Sequence, residues 1–167
     1  TVPSSAAAYT QPSAIAADAW MPCVTACSRP NESLSQQVLS ELAPVVDAQH
    51  GVFYMADRSS RDVQLRLFAT YALMAEDARS KEVFYVGEGL VGQAAADKKR
   101  ILIWDVPAGY VRVGSGLGES PPCHVVVVPI VFEGDVKGVI ELASIHRFTP
   151  IQLDFLEQLL DSLGIVV

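Results

Sequence analysis

The stretch Gly87-Glu88-Gly89-Leu90-Val91-Gly92 satisfies the dinucleotide-binding fingerprint G-x-G-x-x-G. It follows the apolar run 83–86, and Asp105 closes a second apolar run about twenty residues later, as that fingerprint requires. Glycines in this pattern let the backbone approach a pyrophosphate, whose charge is stabilised by the N-terminus of the next helix. Taken alone, the stretch predicts a nicotinamide or flavin enzyme.

The sequence around this stretch argues against a dinucleotide site. A crossover between parallel strands needs a dozen or more residues, usually with a helix. Here only about eight residues separate Leu90 from the charged break at 97–100, and a loop and a hairpin follow. Glu88 would also place a negative charge in the phosphate cradle. We therefore expect no nucleotide cofactor at this position.

Glu141 is the strongest candidate for recognising a ligand. In the predicted strand 136–144 it shares a face with Val139 and Ala143, because successive side chains point to opposite faces. A carboxylate among apolar neighbours needs a partner or a shifted pKa. The carboxylate could bind an amine or hydroxyl of a ligand, or it could accept hydrogen bonds from loop amides. The sequence leaves both interpretations open.

Other side chains could contribute to the same pocket. Arg112 could pair with Glu141 or with an acidic ligand, although a solvated loop arginine is the commoner case. Tyr71, Trp104 and Tyr110 are candidate pocket aromatics, and each is also compatible with simple core packing. The full set of candidate ligand-binding residues is Glu141, Tyr71, Trp104, Tyr110, Arg112, Cys123 and Val127. No metal ligand is predicted, because Cys23, Cys27, His50 and His146 lack the spacing of a metal site. No catalytic residue is predicted either. The cofactor remains unknown.

Composition narrows the class of protein. Half of the 167 residues are apolar, and the net charge of −7 disfavours nucleic acid or an anionic membrane as a partner. The sequence contains neither an apolar run of membrane-spanning length nor a signal peptide, and its three cysteines favour a reducing cytoplasm. Because the chain begins at Thr1 without Met and stops at Val167 within a helical pattern, we expect a piece of a larger protein.

The elements that would position these residues alternate between helices and strands. Residues 1–31 are rich in Pro, Ala and Ser and predict a linker or loose arm; residues 32–167 predict one domain. Within it we expect a helix, three strands, a short helix at 90–97, the strand 101–104, a long connection at 106–122, a hairpin and a last helix capped by Thr149. The apolar residues predicted to face the sheet from that last helix are Ile151, Phe155, Leu156, Leu159, Leu160 and Leu163. Tight turns between strands predict an antiparallel sheet in an α+β fold.

Several motifs along this order resemble those of GAF domains, the small-molecule-sensing modules of signalling proteins. They are the segment 87–95, Ile101-Leu102-Ile103-Trp104-Asp105-Val106-Pro107, the strands 126–130 and 138–144, and Phe148-Thr149-Pro150 at the start of the last helix. The loop 110–119 resembles GAF domains of bacterial hybrid sensor histidine kinases. The resemblance covers roughly residues 32–167 and does not clearly cover 1–31.

The resemblance implies a central antiparallel sheet of five to six strands with the N- and C-terminal helices on one face. A pocket on the other face would lie under the short helix and the long loop. It also implies homodimerisation through the terminal helices, an unknown small-molecule ligand and flanking signalling domains in a cytoplasmic parent protein. We therefore predict a non-catalytic sensing and dimerisation module, with a structural spacer whose pocket is self-filled as the alternative.

Two enzymatic or pigment-binding branches of the family fit this sequence less well. Photoreceptor members attach a bilin at a Cys-His pair, but Cys123-His124 directly abuts the strand 125–132 instead of lying well upstream of it. Members that reduce free methionine sulfoxide carry cysteines near the glycine segment and in the following loop. Here Val91 stands at one such position, and the loop 106–122 contains no cysteine. The reductase remains the less favoured alternative function.

Overall fold

The computed structural model describes residues 30–73, 82–107 and 111–165. Three helices are described: α1 (Pro30–Val45), α2 (Gly89–Asp97) and α3 (Pro150–Leu163). The strands are β1 (His50–Asp57), β2 (Gln64–Tyr71), β3 (Val83–Tyr85), β4 (Ile101–Trp104), β5 (Val113–Ser115), β6 (Gly118–Ser120), β7 (His124–Phe132) and β8 (Asp135–Ser144). Over these ranges the chain has no helix with the length and apolar character needed to cross a membrane.

Six strands form one antiparallel sheet in the order β3-β2-β1-β8-β7-β4. The β7–β8 hairpin at its centre is closed by the tight turn at Glu133-Gly134, as the sequence predicts. The mixed α+β fold with a six-stranded antiparallel sheet is confirmed. The separate β5–β6 hairpin lies inside the connection 106–122, which the sequence analysis treats as a loop.

Helices α1 and α3 cover one face of the sheet, which we call the helix-covered face. Its buried strand residues include Phe53, Val126, Val128, Ile140 and Leu142. Helix α3 begins sharply because Thr149 and Gln152 form a reciprocal capping box and Pro150 occupies the first turn. The predicted position of both terminal helices on one face is therefore correct.

Helix α2 covers the opposite face, which we call the α2-covered face. Val91, Ala94 and Ala95 of this helix pack on strand side chains that include Tyr54, Val125, Val127 and Val139. The close approach depends on Gly92, because a Cβ atom there would collide with the carbonyl oxygen of Tyr85. The short helix is thus held tightly against the sheet.

Candidate functional site

The glycine segment closes on itself and offers no cradle for a phosphate. The Gly87 N–H donates to the Gly92 carbonyl at 2.8 Å, and the Gly92 N–H donates to the Glu88 carbonyl at 2.9 Å. The Glu88 carboxylate accepts from the Tyr85 N–H at 3.0 Å. Gly87 and Gly89 have φ angles of 88° and 60°, which suit glycine. The segment turns the chain into α2, in agreement with the argument against a dinucleotide site.

Glu141 lies at the middle of the α2-covered face, as strand alternation predicts. Its cross-strand neighbours are Val52 of β1 and Val127 of β7, and all three lie on the side that α2 packs against. Glu141 is partly buried, and burial raises the pKa of its carboxyl from 4.5 to about 6. Within the described ranges no side chain forms an ion pair or hydrogen bond with it.

The surroundings of Glu141 are filled by small apolar side chains. Val127 is fully buried beside it, and Val106 from the start of the long connection belongs to the same cluster. Apolar neighbours cannot compensate a negative charge, which explains why the pKa rises. Glu141 lines neither the cleft beside the β5–β6 hairpin nor the groove between α1 and α3.

Tyr71 and Arg112 belong to a different place, at one end of the sheet. A cleft of about 800 Å³ lies there between the α1–β1 turn, the end of β2, Ile145 and the β5–β6 hairpin. We call it the end-of-sheet cleft. Tyr71 lines it, while exposed Arg112 pairs with Glu119 across the hairpin at 3.0 Å. The structure does not bring either residue to Glu141.

Trp104 also lies away from Glu141, which corrects its predicted place in the same pocket. The alternation of β4 puts Ile101 and Ile103 on the α2-covered face, so Trp104 points to the other side. Its indole is 59% exposed and makes an edge-on contact with the His124 ring, with centroids 4.7 Å apart.

His124 is a buried ionisable residue that the sequence analysis does not single out. It is 1% exposed, and its Nδ1 accepts a hydrogen bond from the Phe148 N–H at 3.1 Å. Burial, followed by the positive charge of Arg147, lowers the pKa of its imidazole. Because Nδ1 accepts, the neutral ring carries its proton on Nε2. His124 therefore fixes the connection before α3.

The remaining candidates have little described chemistry. Cys123 is a partly buried free thiol at the start of β7, and its N–H donates to the Ser144 carbonyl at 2.7 Å. Tyr110, Cys23 and Cys27 lie outside the described residues, as does the arm 1–29. Across the three described ranges, no group of His, Cys, Asp or Glu could hold a metal ion. Binding by any predicted site residue stays a prediction.

A polar clamp joins the end of α1 to the start of α3. The Asp47 carboxylate contacts the His146 Nδ1 at 2.7 Å, and the Asp47 carbonyl accepts from the Ser144 hydroxyl at 2.6 Å. The Gln152 amide donates to the Val46 carbonyl at 3.1 Å. Asp47 adopts a left-handed φ of 57° within this clamp. The two terminal helices are thus connected by direct hydrogen bonds.

An apolar groove of about 390 Å³ runs between α1 and α3 on their outer side. Its lining includes Val45, which is 63% exposed, and Phe155, which is 41% exposed. The predicted stripe of α3 is wrong at Ile151, which is 81% exposed, and it omits Leu153, which is buried. The helix therefore has more apolar surface than the sheet can cover.

Two helices cover one face of the sheet and a short helix covers the other, so the described residues form an α+β domain. The family model described as GAF domain matches residues 28–167, and the chain belongs to the GAF family. GAF domains are ligand-sensing and regulatory modules of multidomain signalling proteins. No curated protein matches the chain.

Several solved structures share this fold at low sequence identity. The GAF domain of a phosphoenolpyruvate-protein phosphotransferase from Coxiella burnetii is 21% identical with a TM-score of 0.62, covering 80% of each chain. The type II free methionine-R-sulfoxide reductase from Thermoplasma acidophilum is 18% identical, with a TM-score of 0.60 and coverage of 80% and 89%. The second GAF domain of DevS from Mycobacterium smegmatis is 22% identical, with a TM-score of 0.59 and coverage of 80% and 90%. These similarities establish the fold alone.

Proposed function

We propose that this chain is a non-catalytic, small-molecule-sensing and dimerisation module of a cytoplasmic bacterial signalling protein, with a sensor histidine kinase as its parent. The observation that carries the proposal is the partly buried Glu141 carboxylate, which has no partner among the described side chains. A buried carboxylate without a partner reduces stability, and carboxylates with perturbed pKa values cluster at functional sites, where a ligand can supply the missing contact.

The ligand of this site would present a hydrogen-bond donor or a positive charge to Glu141. In this proposal the ligand binds beside α2, whose Val91 and Ala94 pack on the same face of the sheet. The ligand would then select the arrangement in which α2 is displaced, which is a population shift between two states. Because α2 contacts both β7 and β8, its displacement would reach the strands that support α3.

Dimerisation would use the groove between α1 and α3. Helix α1 packs over β1 and β2, whereas α3 packs over β7, so the groove between them remains uncovered. Apolar groups such as Val45 and Phe155 are too exposed for a monomer to bury. Two copies placed groove to groove would form a four-helix arrangement that removes this surface from water.

Native mass spectrometry of the purified chain tests the sensing role. We expect a co-purified small molecule that is lost in Glu141→Gln and retained in the matched control Glu133→Gln, which changes an exposed carboxylate in the β7–β8 turn. Retention of the same mass in Glu141→Gln would contradict the role of this carboxylate. The absence of any bound mass in the wild-type protein would contradict ligand retention altogether.

A pair of α3 variants tests the dimer. Phe155→Asp places a charge in the groove, whereas Ile151→Asp places one at an exposed residue outside its lining. We expect Phe155→Asp to be monomeric by light scattering and Ile151→Asp to remain dimeric. A monomeric wild-type chain, or equal effects of the two variants, would exclude this interface.

A structural spacer with a self-filled pocket is the second candidate. The apolar cluster on the α2-covered face, which includes Val91, Ala94 and Val106, supports it. The spacer requires that no ligand binds while the dimer still forms, so the two experiments above separate it from the sensor. Thiol-dependent reduction of free methionine sulfoxide that is lost in Cys123→Ser would instead establish the enzyme.

A further inference from the structure

The end-of-sheet cleft is not used by the function proposed above. Its volume of about 800 Å³ lies in the range of small-molecule sites. Ala48, Ala72 and Ile145 give it apolar walls, and Tyr71 supplies an aromatic ring. The β5–β6 hairpin forms the opposite wall. A cleft of this size with mixed apolar and polar walls suits an amphipathic small molecule.

The charged groups that line this cleft are acidic. Asp47 and Glu119 contribute carboxylates, and no lysine or arginine lines the cleft within the part of the chain that the structure describes. Their partners, His146 and Arg112, do not line it, and the side chains of these two residues are 65% and 64% exposed. Exposed ion pairs contribute little free energy, so a ligand cation can replace them.

We propose that the end-of-sheet cleft binds a small organic cation, an ammonium group carried on an apolar body. The ammonium group lies between the carboxylates of Asp47 and Glu119, and the apolar body packs against Ile145 and the ring of Tyr71. The face of a tyrosine ring adds a cation–π attraction. This site is separate from Glu141, which lies under α2 and does not line the cleft.

Two probes that share a phenylethyl body and carry opposite charges test the ligand class. Phenethylamine and 3-phenylpropionate are titrated into the ¹⁵N-labelled full chain, and amide shifts are followed by NMR. We expect phenethylamine to shift the amides of Gln49, Gly114 and Ile145 with saturation at millimolar concentration, and 3-phenylpropionate to leave them unchanged. Equal shifts with both probes, or shifts only outside the cleft, would overturn the proposal.

The Arg112–Glu119 ion pair allows a sharper test, because its two partners have opposite expected effects. Glu119→Gln removes a carboxylate from the cleft and should weaken phenethylamine binding about three- to fivefold. Arg112→Gln releases that carboxylate from its competitor and should tighten binding about two- to threefold.

Two controls separate this binding from hairpin stability and from the sensing site. Asp97→Asn changes an exposed carboxylate at the end of α2, and Glu141→Gln changes the sensing carboxylate; both should leave the phenethylamine-induced shifts of the cleft amides of Gln49, Gly114 and Ile145 unchanged. If Arg112→Gln and Glu119→Gln weaken binding equally, the ion pair only holds the hairpin and the proposal fails. Because Glu141 does not line the cleft, the cleft amides report on this site alone, and failure of the sensing site leaves this test intact.

Discussion

The two faces of the sheet differ in how they accommodate an ionisable side chain, as His124 and Glu141 show. On the helix-covered face, the His124 Nδ1 accepts a backbone N–H and its ring contacts Trp104. On the α2-covered face, Glu141 is surrounded by Val52, Val127 and other apolar side chains and has no described partner. One group is integrated into the fold, and the other is available for a contact that the fold does not supply.

This difference separates a structural role from a binding role by physical criteria. Burial lowers the pKa of His124 and raises the pKa of Glu141 to about 6, so both favour their neutral forms. Only His124 gains a hydrogen bond, which its Nδ1 accepts from the Phe148 N–H, while its Nε2 is buried without a partner among the described residues. Removing His124 should therefore destabilise the protein, whereas neutralising Glu141 should stabilise it.

The largest effect is expected for His124→Ala, which should lower the free energy of unfolding by about 3 kcal/mol. The substitution removes a buried ring and leaves the Phe148 N–H without its acceptor. Urea denaturation measures the change. His146→Ala is the control and should cost less than about 1 kcal/mol, because that imidazole is exposed. Equal losses of unfolding free energy in the two variants would contradict a stabilising role for His124 in the core of the helix-covered face.

The Glu141→Gln substitution should have the opposite effect on stability and raise the free energy of unfolding by up to about 2 kcal/mol at pH 8. The folded-state pKa of about 6 lies above the ordinary value of 4.5, so the ionised form destabilises the folded protein above pH 6. Below pH 4.5 both states are protonated and the gain should disappear. Denaturation of ligand-free protein at the two pH values measures it, and destabilisation at pH 8 would indicate a hidden partner for Glu141.

The smallest effect is the pH dependence that His124 contributes. Its folded-state pKa lies below 6.5, so the stability that it provides is complete above pH 6.5 and is lost as the pH falls. In the Glu141→Gln background, acidification from pH 7.5 to 5.5 should reduce the free energy of unfolding. Adding His124→Asn, which keeps an acceptor for Phe148, should flatten this dependence. If this pH dependence of the free energy of unfolding is unchanged in His124→Asn, another titrating group causes it.

Local rules were sufficient to predict most elements. Alternation along β8 placed Glu141 on the face opposite the terminal helices, and the Thr149-Pro150 signature fixed the start of α3. The glycine segment was assigned to a turn and a short helix because Glu88 and the short spacing excluded a phosphate site. These features depend on neighbours in sequence, which is why sequence reasoning reached them.

Features that depend on distant partners were not accessible in the same way. The face of Trp104 follows from its register with His124 of β7, which no local pattern reports. The β5–β6 strands have three residues each and contain glycine, so they lack a periodic signal. The end-of-sheet cleft exists because this hairpin lies over the α1–β1 turn. The sequence therefore predicts one pocket for Tyr71, Arg112 and Glu141, whereas the structure places Tyr71 and Arg112 at the end of the sheet, away from Glu141.

The first turn of α3 is held by directional hydrogen bonds, whereas the rest of the helix packs on β7 through side chains such as Leu156 and Leu160. The capping box at Thr149 and the Gln152 hydrogen bond to Val46 hold its first turn, while its far end lies 14 residues away. At about 1.5 Å per residue the arm is about 20 Å long, so a tilt of about 6° moves the end near Leu163 by about 2 Å. A rigid tilt about the clamp would therefore produce a larger displacement at the far end of α3 than at its first turn.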